Sequence, residues 1–317
     1  MNFLVIVLSS QLLYYLLIAQ TGVVGAFHSH IHDLYTLPIG GIIGAVLSAW
    51  RSHRFLTIEL YVLFALQGVI SWFYPDYSLW MLWILGFLVG YTTPLLLYAF
   101  RFQSKLSLAL GLAISYAIGT ALYSYPFDER GGIAIALPLI SMIALYFSRL
   151  QSDMDAEKKP FRWITLVLMM LCIFADSALF ETLSRSGDID IWGKYPLLII
   201  NSHLLGVYLA YRYGTELTKQ SRIILTLFLL SYMFYGLKIP LLLSIIYPIV
   251  ISYYNVLLFQ ALIRLADIRL IGLSMVGVGW IATSAANAIA LEHQLWIAII
   301  VFGAFSLLYP FYFRRFL

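Results

Sequence analysis

The chain has 317 residues, 62% of them apolar and only 11% charged, with a formal net charge of +4. A water-soluble domain carries about 25% charged residues, so the composition excludes a soluble enzyme and leaves a polytopic membrane protein with little mass outside the bilayer. The cations read as loop anchors facing anionic lipid, not as a nucleic-acid surface, and the single Cys172 excludes an internal disulfide framework or a CxxC metal site.

Twelve apolar runs follow one another: 3–25, 34–50, 56–74, 79–100, 106–124, 131–148, 163–184, 195–212, 222–238, 240–263, 270–290 and 294–313. Most approach the ~20 residues with which a helix crosses ~30 Å of hydrocarbon. Lipid offers no partner to an open backbone group, so a helix is the form expected of each run. The first run has no basic leader and no small-residue cleavage site, and it reads as a span instead of a signal peptide. Basic residues set the orientation. Arg51 and Arg54 follow run two, and Arg101 and Lys105 follow run four. Arg149, Lys158, Lys159 and Arg162 flank the link between runs six and seven. Arg212, Lys219 and Arg222 follow run eight, Arg264 and Arg269 run ten, and Arg314 and Arg315 run twelve. Fifteen of the nineteen Lys and Arg residues thus share one side, and Arg130, Arg185, Lys194 and Lys238 take the other. Positively charged loops stay cytoplasmic. The expected placement is an inner (cytoplasmic) membrane with both termini inside.

Run one carries Gln11, Tyr14 and Tyr15 on one helix face. The outer loop after it reads His28-Ser29-His30-Ile31-His32-Asp33. Alternate residues of an extended segment point the same way, so His28, His30, His32 and Asp33 are a candidate site for Zn, Cu, Ni or Fe; a hydrogen-bonded polar loop is the other reading. No other cofactor is expected. Run four holds Tyr91, Thr92, Thr93 and Tyr98. The charged segment 150–162 then separates two sets of six runs, giving an N-terminal bundle over 1–149 and a C-terminal bundle over 163–317.

Run seven holds Asp176 near its middle and Glu181 nearer its outer end, one turn before Arg185. An ionisable side chain at bilayer depth is a functional candidate by default. Glu181 reads as the partner of Arg185 at i,i+4 or as a second proton site. Asp176 has no local cation; it reads as a proton or cation coupling group or as an interhelical hydrogen bond. Desolvation favours the neutral form of a buried carboxyl, which allows proton exchange near neutral pH. His203, mid-run in run eight, reads as a partner of Asp176 or as a neutral imidazole on a carbonyl. Run ten adds Tyr253, Tyr254, Asn255 and Gln260, and run eleven Ser284 and Asn287, which serve a cavity or glue helices together. No GxxxxGKS phosphate loop, HExxH pair or paired aspartate-rich motif is present, so no catalytic residues are assigned.

The two halves echo one another. Gly40–Arg51 and Leu204–Arg212 each run from Gly through Leu to Arg, and 95–111 and 257–272 each pass from an apolar helix through a basic turn into a small-residue helix. Such repeats build many transporters, with the site at the repeat interface. Six-plus-six spans, inside termini, a charged central link and the segment Gly44-Ala45-Val46-Leu47-Ser48-Ala49-Trp50-Arg51-Ser52-His53-Arg54 resemble the major facilitator superfamily. Ser48 or Ala49 stands where that family has an Asp. The resemblance implies an all-α integral membrane protein of twelve transmembrane helices in two pseudo-symmetric six-helix bundles. It further implies a secondary active transporter, with helices one, four, seven and ten around a central cavity. Gln11, Tyr14, Tyr15, Thr93, Tyr98, Tyr253, Tyr254, Asn255 and Asn287 would then meet a small semi-polar organic solute, or a metal or its chelate, since tyrosine joins an apolar ring to one polar tip. Asp176, Glu181 and His203 would carry protons. The expected partners are the lipid bilayer and the solute, for a monomer. Two other readings are a membrane-embedded enzyme acting on a lipid or polyprenyl substrate, and a ten-helix drug/metabolite-type transporter with runs nine and ten merged.

Overall fold

The structure, a computed structural model, describes residues 3–26, 31–50, 55–148, 150, 161–185, 189–265 and 267–312, without the side chains of 26, 31–32 and 308–312. Each apolar run contains one helical stretch, and no strand occurs among the described residues. These are α1 (Leu4–Gly25), α2 (Asp33–Ser48), α3 (Leu56–Ser71), α4 (Leu79–Phe102), α5 (Lys105–Tyr123), α6 (Gly131–Tyr146), α7 (Trp163–Arg185), α8 (Pro196–Tyr213), α9 (Leu217–Gly236), α10 (Pro240–Ile263), α11 (Ile268–Leu291) and α12 (Leu295–Leu307). Six of them, α1, α4, α5, α7, α10 and α11, are long and apolar enough to cross a bilayer unaided. α2, α3, α6 and α12 are shorter apolar helices. α8 and α9, 18 and 20 residues long, have the length but are less apolar.

The outer surface is that of a protein dissolved in lipid. On α3, Ile58, Val62, Leu66 and Val69 are exposed at three- and four-residue spacing, while Leu60, Phe64, Gln67 and Ser71 turn inward. In water the polar side chains would take the exposed face; here the buried face holds them. Trp50, Trp72, Trp80, Trp163 and Trp296 lie exposed at helix ends, where indole rings anchor a helix at the headgroup level.

The chain forms two compact units, Met1–Phe161 with Leu262–Val276, and Arg162–Ala261 with Gly277–Leu317. The charged composition of the 150–162 link suggests one boundary there. The contacts additionally place the start of α11 with the first unit.

In the first unit α2 and α4 lie against each other backbone to backbone. Gly40 and Gly44 on α2 face the backbone of Trp83, Phe87 and Tyr91 on α4, and Gly86 and Gly90 on α4 face that of Leu37 and Gly41 on α2. A methyl group at Gly40 would run into the Trp83 carbonyl, one at Gly86 into that of Leu37, and one at Gly90 into that of Gly41. This is the small-residue packing that membrane helices use, because lipid removes the hydrophobic drive and leaves van der Waals contact to hold helices together. The start of α11 joins this pair through Gly272, where a methyl would lie 2.9 Å from the Ala45 carbonyl oxygen and 3.3 Å from Ser48 Oγ. Ser48 is fully buried.

α1 is interrupted by a π-helical segment, Tyr15–Gln20, which turns carbonyls away from their usual partners. Thr21 Oγ1 donates to Leu16 O at 2.7 Å, and Arg130 Nη1 donates to Leu17 O at 2.9 Å. Arg130 is buried. It also donates to Thr21 Oγ1, to Tyr123 O and, from both Nε and Nη2, to Tyr125 O. A guanidinium has five N–H donors, and here they close the end of α5 onto the bulge of α1. Tyr74 donates to Phe127 O in the same corner. Burial pushes its phenol up to about 12 against the pull of Arg130, so it stays a protonated donor at neutral pH.

In the second unit α9, α12 and the end of α11 pack around α7. α8 approaches α10 at Gly206, where a methyl would lie 2.5 Å from the Ile249 carbonyl oxygen. The α9–α10 and α11–α12 turns share one design. Lys238 and His293 take left-handed backbones with φ of 54° and 56°. The next residues, Ile239 and Gln294, donate N–H to Phe234 O and Ile289 O, the six-to-one bond that closes a helix C-terminus. Pro240 then opens α10 at a position where its missing N–H costs nothing. Runs nine and ten are therefore two helices joined by a tight turn, not one merged span.

Candidate functional site

Asp176 sits in the middle of α7, and tyrosines on two other helices grip the turn that carries it. Tyr247 Oη on α10 donates to Asp176 Oδ1 at 2.9 Å and lies 3.1 Å from its backbone oxygen. Tyr254 Oη, seven residues along α10, donates to Oδ2 at 2.5 Å. Tyr232 Oη on α9 donates to Ala175 O at 2.7 Å. Residues i and i+7 fall on one helix face two turns apart, so a single face of α10 brackets the carboxylate. The tyrosines are buried, whereas Asp176 keeps some exposure. Behind the phenols, rings pass from Tyr254 to Phe228 at 5.5 Å, to Phe302 at 5.7 Å and to Tyr232 at 6.3 Å.

His203 is buried, with Nδ1 2.6 Å from Ser252 Oγ and its ring against the backbone of Pro248, both on α10. The structure brings Asp176 and His203 to the same helix but not to each other. Pro248 cannot donate to the carbonyl four residues before it, and α10 is thus tied by neighbouring helices on both sides of its proline. Glu181 lies 3.6 Å from Arg185 Nε, the i,i+4 partner read from the sequence.

The other candidates are placed as follows. Gln11 Nε2 donates to Ser141 Oγ on α6 at 2.9 Å, and Tyr14 Oη lies 2.8 Å from Ser71 Oγ on α3. Both tie α1 into the first unit's interior. Tyr15 begins the π segment. Thr93 Oγ1 donates back to Val89 O at 2.8 Å. The Tyr98 ring lies under the Arg101 guanidinium, 3.5 Å from its carbon. Tyr253 Oη donates to Gln220 Oε1 on α9 at 3.0 Å, away from the carboxylate. Asn255 is half-buried, and the buried Asn287 Oδ1 has no hydrogen-bond partner among the described residues. His28 and His30 lie outside the described residues, as does the side chain of His32; Asp33 is the first residue of α2. Among the described residues no cluster of His, Cys, Asp and Glu could hold a metal.

Tyr232 and Tyr247 were not singled out by sequence reasoning. Tyr247 had a readable signal in its seven-residue spacing from Tyr254. Tyr232 had none, because it reaches a backbone carbonyl that only the packed helices bring into range.

No family model matches the chain, and no curated protein sequence does. Solved structures do. The proton:xylose symporter XylE, bound to 6-bromo-6-deoxy-D-glucose, superposes with a TM-score of 0.65 over 98% of this chain and 94% of its own, at 15% identity. A D-xylose-proton symporter gives 0.58 over 96% of both chains at 16% identity. The transporter FucP in its outward conformation gives 0.61 over 96% of this chain and 98% of its own, at 12% identity. The chain has the fold of the major facilitator superfamily transporters.

Proposed function

We propose that the protein is a secondary active transporter, driven by protons, that moves a small organic solute across a membrane by alternating access, all twelve helices spanning the bilayer. The observation that carries this reading is Asp176, a partly exposed carboxylate in the middle of an apolar helix, with phenols and no cation as its partners among the described residues. Such a group is costly in lipid and is kept for ion or proton pathways. A carboxylate that gains and loses a proton changes what its helix can bond, and this is a means of biasing a two-state equilibrium. The fold supports the reading, since the superposed proteins include two proton symporters. Residues beside the carboxylate on α7 and α10 would meet the solute, and the cytoplasmic side would be the one that carries the basic loops.

The test is uptake by proteoliposomes under an imposed pH gradient, with a panel of neutral and cationic organic solutes. Wild-type protein should accumulate at least one of them against its gradient. Asp176→Asn, folded and inserted, should lose accumulation. Wild-type accumulation by Asp176→Asn at every pH would make Asp176 a structural residue and sink the proposal.

A further inference from the structure

Among the described residues, the groups that bond Asp176 supply hydrogen bonds and no positive charge. Tyr247 and Tyr254 donate to its two oxygens from α10, and Tyr232 on α9 donates to the carbonyl before it. Cys172, one turn back on α7, is a buried free cysteine. The end of α11, Thr283–Leu291, contains no titratable residue, and neither do the described side chains of α12. Both pack on α7. The second unit's other helix-borne acid, Glu181, has Arg185 beside it. An ionised carboxylate accepts about four hydrogen bonds; two directions are taken, and the side chain keeps some exposure. The counter-charge must therefore come from something that arrives.

Three arrivals are possible chemically: a proton, a metal cation or a charged group on the solute. A hard cation such as sodium replaces its water with a cage of several oxygens. Here the phenol protons already point at the carboxylate, and buried rings stand behind them. A neutral polyol needs several convergent polar groups to hold its hydroxyls. The three phenols at this site are committed to Asp176 and Ala175. A weakly hydrated organic cation asks for less: one negative charge in an apolar surrounding, where the attraction is little screened.

Resting on the transporter reading above, we propose that the solute is an organic monocation, a protonated amine or quaternary ammonium, whose charged group docks on Asp176 in place of the proton. One carboxylate then serves two cations in turn. Each solute that binds releases one proton, and the transport cycle is an exchange.

Calorimetry on the purified full chain in detergent tests this with four probes: tetraphenylphosphonium, choline, sodium and D-xylose. Tetraphenylphosphonium should bind. In weakly buffered solution it should release close to one proton per cation, at a pH where the carboxyl is protonated. Asp176→Asn should weaken its binding at least tenfold, and Asp176→Glu, which keeps the charge, should retain it. If the Asn variant does not fold, proton release by the wild type and binding by the Glu variant still decide. Equal tetraphenylphosphonium binding by wild type and Asp176→Asn would overturn the proposal, as would binding of D-xylose but no organic cation. Cation binding at Asp176 without uptake in proteoliposomes would sink the transporter reading and leave the cation site standing. Proton-driven uptake of a neutral solute, without cation binding, would do the reverse.

Discussion

Arg130 and Asp176 show two ways of holding a charge inside a helical protein. Arg130 spends its donors on carbonyls and one hydroxyl and is a fixed part of the first unit. Asp176 has acceptor capacity left over and is the chemically open group. Arg130→Met keeps the side-chain length but leaves the carbonyls of Leu17, Tyr123 and Tyr125 short of donors. Hydrogen bonds to charged groups contribute about 1.5–3 kcal/mol each and are not additive, so a loss of about 3 kcal/mol is expected. A melting temperature in detergent that is unchanged from wild type would show that water replaces the guanidinium. Asp176 and Tyr254 were legible in the sequence because a charge or a polar tip far from the ends of an apolar run has no bland explanation in lipid. Tyr14 and Gln11 were equally legible as polar groups. Their partners Ser71 and Ser141 were not, because a serine in a membrane helix bonds its own backbone as readily as a neighbour. The outer histidines carry a separate proposal, that His28, His30 and His32 hold a transition metal. Purified protein should then retain near-stoichiometric metal by mass spectrometry and lose it when all three are changed to Ala; a metal-free wild type that takes up no added Zn, Ni or Cu would reduce the segment to a polar loop.

Glycines let α2 lie against α4 and α8 against α10, and left-handed residues close the α9–α10 and α11–α12 turns. Gly90→Val should separate α2 from α4, since a side chain there meets the Gly41 backbone with nowhere to move. Overpacking of this kind costs about 1–3 kcal/mol or more, and the variant should elute as aggregate or lose folded yield in size-exclusion chromatography. Lys238→Gly should act in the opposite direction. An L-residue in the left-handed region costs roughly 1 kcal/mol that glycine does not, so the variant should melt higher than wild type; a lower melting temperature would mean the Lys238 side chain contributes more than its backbone costs. Most element boundaries were readable from hydropathy and turn chemistry, but α9 begins at Leu217, five residues before the apolar run that starts at 222, because its first turns are polar. The π segments Tyr15–Gln20 and Val276–Ala282 were not readable, because an extra residue in a helical turn leaves no mark in an unbroken apolar run. Nor was the pairing of α2 with α4, since a glycine pattern gains meaning only from its partner helix.

At the scale of the molecule, charge sorting among loops carries more topological information than any motif. Cysteine accessibility in a Cys172→Ala background tests it: a cysteine at position 155 should be labelled only from the cytoplasmic side, and labelling from outside would overturn the twelve-span arrangement. The grouping of residues 262–276 with the first unit lay beyond sequence reasoning. Local periodicity records which face of a helix is buried, not which helices bury it.

The uneven apolarity of the helices bears on how the chain is made. α8 and α9 follow one another, and neither belongs to the set that can cross a bilayer unaided, whereas α7 before them and α10 after them do. A translocon releases a segment into lipid when its own transfer free energy is favourable. α8 carries Asn201 and His203, and α9 carries Lys219, Gln220 and Arg222 near its start. On leaving the ribosome they should therefore wait as a pair, held beside α7, until α10 emerges and supplies Ser252 for His203 and Tyr253 for Gln220. Nascent chains arrested after Gly214 should stay extractable at α8, and chains arrested after Ile263 should not.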